Sequence, residues 1–279
     1  MQSVLFRDLG FRSYQSVWDE QEAMLKEKVD MKSAARMRDH VGQATNTGNG
    51  DHVGQATNMG NQKMETAMVG HLAHHTIDTA IVGRLTNHTI PHHLLLVEHS
   101  PVYTLGKSGK TEHILISEQE MQERGIDYFH INRGGDITFH GPGQIVGYPI
   151  LDLEQFKTDL GWYLRSLEEV MILTMAHYGL KGDRSKGETG VWLDPDIPGK
   201  ERKICAMGIK CSRWITMHGF AFNVNTDLTY FDHIVPCGIV GKQVTSLEKE
   251  LGYAVPFEEV KTLVKKNFEK VFDIVLIDG

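Results

Sequence analysis

The chain has 279 residues, is 41% hydrophobic and carries a formal charge of −7, from 29 Lys/Arg against 36 Asp/Glu. That is enough apolar material for one large globular domain, and too acidic a balance for a general nucleic-acid binder, which needs a basic face to neutralise phosphates. Runs of about 18 apolar residues are absent and Met1 to Gly10 lacks the charged-then-apolar layout of a signal peptide, so neither a membrane nor export is expected and the cytoplasm is the expected compartment. Three cysteines, Cys205, Cys211 and Cys237, fit free thiols better than a disulfide framework.

In chain order, Tyr14, Val17, Trp18, Leu25 and Val29 recur at helical spacing and predict an amphipathic helix over 13–32 that packs on a sheet. The sequence then changes character. Asp39-His-Val-Gly-Gln-Ala-Thr-Asn46 is repeated at Asp51 to Asn58, a period of 12, inside a stretch from about Arg36 to Ile90 rich in Gly, Asn, Thr and His. Two copies are too few for a solenoid, and the expectation is a single domain, 1–279, interrupted by a low-complexity insertion at about 36–90. Eight of the 15 histidines lie between His40 and His93 and raise the question of a metal. No cysteine and few carboxylates accompany them, so no metal site is assigned.

Leu94 to Gly106 reads as a buried strand, a turn at Ser100-Pro101 and a second strand ending in a glycine loop. From Asn132 to Leu153, Arg133-Gly134-Gly135 and His140-Gly141-Pro142-Gly143 place four glycines around a short β-like run. Glycine serves where backbone turns tightly or approaches a ligand, so the segment suits wrapping something, or two turns beside an edge strand. Arg133, Thr138, His140 and Gln144 supply its hydrogen-bonding groups. Asp152 with Gln155 suggests the cap of a helix carrying Phe156, Leu160, Tyr163, Leu167, Val170 and Met171, stopped by Gly179. Gly187 to Leu193, Lys203 to Trp214 and Ile215 to Val224 read as strands, Thr245 and Glu248 as the cap of a short helix, and Pro256 as the first turn of a last helix before an edge strand at 274–277. Hairpin-like strands with a few long helices and no βαβ alternation predict an α+β sandwich with a mainly antiparallel or mixed sheet and flanking helices.

Strict alternation puts Lys203, Cys205 and Met207 on one face of their strand and Ala206 and Gly208 on the other, with Gly219 and Ala221 forming a similar small-residue face on the next. Those faces suit either an extended acyl chain or a closely packed helix. Pro236-Cys237-Gly238 holds a thiol between a residue of fixed φ and one without a side chain; Lys203, His140 and His218 are candidate partners for activating it. Cys205, two residues from Lys203, is the local rival, although its apolar strand disfavours a thiolate. The stretch 181–213 carries eight Lys/Arg against five Asp/Glu, a local basic patch in an acidic chain.

The Arg-Gly-Gly, Thr-Phe-His and Gly-Pro-Gly-Gln order, with the Leu94 to Gly106 segment, Lys203-Ile-Cys and Pro-Cys-Gly, resembles the lipoate-protein ligase B family, the octanoyl (lipoyl) transferases. The resemblance covers all but about 36–90. It implies the catalytic fold of the biotin and lipoate protein ligases, and transfer of an octanoyl or lipoyl group from acyl carrier protein to a lysine of lipoyl domains in 2-oxoacid dehydrogenase E2 subunits and the glycine cleavage H protein. By the same resemblance Cys237 is the nucleophile and Lys203 the acid–base residue, with no ATP, metal or other cofactor. Arg133, Gly134, Gly135, Asp136, Ile137, Thr138, Phe139, His140, Ala206, Met207, Gly208, Gly219, Phe220 and Ala221 would bind substrate. Two alternatives remain open at this point, an ATP-dependent lipoate or biotin ligase on the same fold, and a non-catalytic binder of acylated carriers.

Overall fold

The computed structural model describes residues 1–45, 90–235 and 242–279. Its contacts divide the chain into two compact units, Met1–Val29 with Pro91–Gly279, and Asp30–Ile90. The second repeat copy and the histidines from His52 to His88 lie outside the described residues, as does Cys237.

The larger unit is built on a mixed sheet in the order β10-β8-β9-β6-β2-β1-β11, with β7 paired to β8. The strands are β1 (Gln2–Arg12), β2 (His92–His99), β6 (Gln144–Ile150), β7 (Val191–Leu193), β8 (Arg202–Ser212), β9 (Ile215–Asn223), β10 (Gln243–Val244) and β11 (Ile274–Asp278). The pairs β2/β6, β6/β9, β7/β8 and β8/β9 are antiparallel, while β1 runs parallel to both β2 and β11, and β10 to β8. A smaller sheet, β4-β3-β5, comprises β3 (Val102–Leu105), β4 (Asp127–His130) and β5 (Ile137–His140), and α2 (Glu118–Glu123) packs against it through Met121. The α+β expectation with a mixed sheet is met.

Both faces of the main sheet are covered, which is why β2 reads as an unbroken apolar run. Leu94 and Leu96 point into one core and Leu95 and Val97 into the other. The first core is closed by α3 (Leu160–His177) and α5 (Phe257–Phe272), whose Leu167, Val170, Met171, Val260, Val264 and Phe268 are fully buried. On the second face lies the start of α1 (Tyr14–Thr45), with Val17 and Leu25 against Val146, Ile150 and Met217.

Several expected boundaries move. The first helix runs to Thr45 rather than ending at Lys32. Ala34, Ala35, Arg36 and Met37 are good helix formers, so the helix continues beyond its apolar stripe. Asp152 caps a single helical turn at Leu153–Gln155, and α3 starts instead behind Asp159, whose carboxylate accepts from Trp162 N at 2.9 Å. Ser246, not Thr245, caps α4 (Leu247–Leu251). The Thr245 hydroxyl is committed to Glu250 at 2.6 Å. No helix among the described residues is long and apolar enough to cross a membrane.

Candidate active site

A cavity of about 370 Å³ lies on the α1 face of the main sheet, between it and the smaller sheet. Its floor comes from β8 and β9, where Ala206 faces Ala221 and Gly208 faces Gly219 in direct cross-strand register. The loop carrying Arg133 leans over this floor. Gly134 N donates to Ile209 O at 2.9 Å, and Gly135 takes a φ of +90°, open to glycine. A Cβ on Gly208 would lie 2.7 Å from Gly134 O and 3.0 Å from Arg133 Cδ, so this glycine is what lets the loop approach the strand.

Strict alternation along β8 fails at one residue. The neighbours Val191 and Trp192 of β7 pair with Cys205 and Lys203, which leaves Ile204 as the extra residue of a β-bulge. The expectation that Lys203 and Cys205 share a face is therefore corrected. Ile204 and Cys205 are both wholly buried in the helix-side core, whereas Lys203, Ala206 and Gly208 line the cavity. Burial pushes the Cys205 thiol far above its ordinary range, which disfavours the thiolate a nucleophile needs.

Lys203 sits with its Nζ 4.5 Å from the centre of the Trp192 ring, and Lys242 Nζ lies 4.7 Å from the same ring. Lys242 also donates to Glu188 at 2.7 Å. Burial opposes ionisation of Glu188, but hydrogen bonds from Lys242 and Ser185 and the charges of Lys242 and Lys203 hold it below the usual carboxylate range. The loop that brings Gly187, Glu188 and Thr189 to the cavity is tied down by Glu168, a fully buried carboxylate of α3 that accepts from Gly190 N at 3.1 Å and Arg184 Nε at 3.0 Å.

The far wall is aromatic and histidine-rich. Tyr14 stacks on His140 with ring centres 5.8 Å apart, and His99 Nε2 meets the Tyr148 hydroxyl at 2.8 Å. Desolvation depresses all three imidazoles nearby, His99 to about 4, His218 to about 3 with help from the Arg133 and Lys210 charges, and His140 well below its ordinary value. They are neutral at physiological pH. Of the three candidate partners for a thiol, His140 and His218 thus supply no positive charge.

Arg133, Gly135, Asp136, Ile137, Thr138, His140, Lys203, Ala206, Met207, Gly208, Gly219, Phe220 and Ala221 all line the cavity. Among the described residues, two expected ones do not. Gly134 spends its backbone on β8, and Phe139 points into the smaller sheet's core, stacked on Tyr230 at 4.4 Å. The cavity also takes in Tyr14, Ser108 and Val146, which no motif flags. Of these Tyr14 comes from α1, more than 100 residues from the glycine loops it faces, so only the tertiary fold brings it there.

Described residues on either side of 236–241 bond to the surroundings of the cavity. Val235 N donates to His113 O at 2.8 Å, and the His113 ring meets the cavity-lining Asp136 at 2.6 Å. On the other side Val244 pairs with Lys203, and Thr245 N donates to Lys203 O at 2.9 Å.

The model of the lipoyl protein ligase A/B catalytic domain matches residues 71–269. The octanoyltransferase of Christiangramia forsetii is 47% identical over 274 residues, covering 98% of this chain and 97% of that protein. The octanoyltransferase of Flavobacterium psychrophilum is 45% identical, covering 99% of both chains. Among solved structures, the bipartite lipoate protein ligase of Thermoplasma acidophilum superposes with a TM-score of 0.55 at 16% identity, over 68% of this chain and 74% of that one. A lipoate-protein ligase A bound with ATP gives the same TM-score at 16% identity, over 68% and 76%. These likenesses show the fold and leave the chemistry open, whereas the sequence relatives are named transferases and do not favour the ATP-dependent alternative. The chain belongs to the lipoyl protein ligase A/B catalytic-domain family and, within it, stands with the octanoyltransferases.

Proposed function

We propose that octanoyl transfer by this chain runs through a thioester on Cys237, taking the acyl group from octanoyl-acyl carrier protein and delivering it to a lysine of lipoyl domains, those of 2-oxoacid dehydrogenase E2 subunits and the glycine cleavage H protein. The observation that carries the reading is the bulge of β8, which turns Lys203 into the cavity and Cys205 away from it. In this reading the Cys237 sulfur attacks the donor carbonyl, the thiol of the carrier leaves with a proton supplied by Lys203, and the acceptor amine displaces Cys237 while giving up a proton to Lys203. Thioester to thioester is nearly balanced and thioester to amide is downhill, so no ATP is consumed. Small residues at Ala206 and Ala221 leave room for the acyl chain along the floor. The cytoplasm is the compartment we assign, in keeping with the buried, unbridged thiol of Cys205. The test is incubation of the chain with octanoyl-acyl carrier protein and an unmodified lipoyl domain in the absence of ATP. An octanoyl amide on the acceptor lysine is expected; modification that requires ATP and free octanoate would overturn the proposal in favour of a ligase.

A further inference from the structure

Behind the cavity wall runs a closed ring of buried hydrogen bonds that starts and ends on β8. Lys203 O accepts from Thr245 N at 2.9 Å. Thr245 O accepts from Asn223 Nδ2 at 2.9 Å, and Asn223 Oδ1 accepts from Gln144 Nε2 at 2.8 Å. Gln144 Oε1 meets His140 Nδ1 at 2.9 Å, His140 Nε2 meets Thr104 Oγ1 at 3.4 Å, and Arg133 donates to Thr104 Oγ1 at 3.0 Å. The ring closes where Gly134 N reaches Ile209 O.

Only one arrangement of hydrogens satisfies every member. A backbone carbonyl only accepts, so Thr245 O fixes the Asn223 amide with its NH₂ toward it and its oxygen toward Gln144. Gln144 must then turn its own NH₂ to Asn223 Oδ1 and to Phe139 O at 3.1 Å, leaving its oxygen for His140. His140, neutral because it is buried, therefore carries its proton on Nδ1 and presents a bare Nε2. Arg133 has no acceptor, so Thr104 takes its hydrogen bond and points its own O–H at Nε2. Gln144 and Asn223 sit opposite each other on β6 and β9, are 1% and 4% exposed, and do not line the cavity.

We propose that Gln144 and Asn223 are positioning residues for the transfer reaction, setting the polarity of this ring, holding His140 as its Nδ1–H tautomer, and so fixing the Arg133 loop against the strand that carries Lys203. The role of Lys203 here rests on the transfer reading above. A buried pair kept only for stability needs partners but not a particular His140 tautomer or a response of turnover to protonation at position 144.

The first measurement is nitrogen NMR of the His140 ring in the unaltered chain. The Nδ1–H tautomer is expected, and an Nε2–H tautomer would overturn the proposal. The second is the pH profile of Gln144→Glu. A protonated carboxyl keeps the donation to Asn223 and the acceptance from His140, giving up only the one to Phe139 O, whereas a carboxylate cannot donate at all. Turnover of Gln144→Glu should approach that of the parent at the acid end and fall about tenfold or more below it as pH rises, the worth of one broken hydrogen bond to a buried partner. Tyr14, Tyr148, His99, His218, Arg133 and Glu98 face this corner, and burial keeps the two further imidazoles neutral down to pH of about 4, so the comparison is made against the parent's own profile. A Gln144→Glu profile superimposed on the parent's, or a uniform loss at every pH, would overturn it. Because the readouts are the His140 ring and net transfer, failure to trap a Cys237 thioester would count against the intermediate and not against the ring.

Discussion

Lys203 and Cys205 are two residues apart and have opposite fates. One faces the cavity beside Trp192; the other is sealed in the core with its thiol held protonated. Lys203→Ala should slow transfer by a factor on the order of 10² to 10⁴, as lost acid–base assistance does. Cys205→Ala should keep turnover and cost on the order of 1 kcal/mol of stability, because the loss is one small buried side chain. The check is steady-state turnover and urea midpoint on the same two preparations, with a Cys205→Ala enzyme that folds but does not turn over as the contrary result. Ala221 offers a second test. It is 3% exposed, lines the floor opposite Ala206, and each buried methylene of a bound chain is worth about 0.8 kcal/mol. Ala221→Leu should therefore move the preferred donor to a shorter acyl chain; an unchanged preference at retained activity would place the acyl group elsewhere.

At the scale of elements, the approach of the Arg133 loop to β8 depends on Gly208. In Gly208→Ala the new Cβ meets backbone at Gly134 O and the Arg133 side chain, so the loop must lift. Transfer should fall at least about tenfold, consistent with a misplacement of under 1 Å in a positioned site. Full activity of this variant would show that the loop does not shape the site. The glycines of this loop were legible in the sequence because close backbone approach leaves a mark in residue type, and α3 and α5 because their apolar stripes repeat at helical spacing. Other features left no such mark. A β-bulge is invisible to a period-two reading, which therefore puts Lys203 and Cys205 on one face. β1 and β4 are half-exposed strands with weak alternation, and only pairing to β2 and β3 defines them. The basic stretch 181–213 also reads differently once folded. Arg184 is paired with Glu168 and Glu169, Arg202 with Asp194 and Glu250, and Lys210 with Glu22, so composition overstates the charge available to an acidic carrier.

The whole molecule carries its buried histidines at a cost in acid. His92 and His99 are held by burial at about 4, and His93 and His218 at about 3, against an ordinary value of 6.5. Below pH 6.5 the unfolded chain takes up these protons while the folded chain does not, so stability is complete above 6.5 and falls as pH drops toward 4. The loss should be on the order of 1 to 3 kcal/mol per ring by pH 4, read as a falling urea midpoint. A midpoint constant across that window would contradict the burial of these rings. Passage of the acyl group through Cys237, with Lys203 as its partner, is checked by peptide mapping of the chain after incubation with octanoyl-acyl carrier protein alone. Octanoyl is expected on Cys237 and on neither Cys205 nor Cys211; octanoyl on Cys205, or full turnover by Cys237→Ala, would rule that route out.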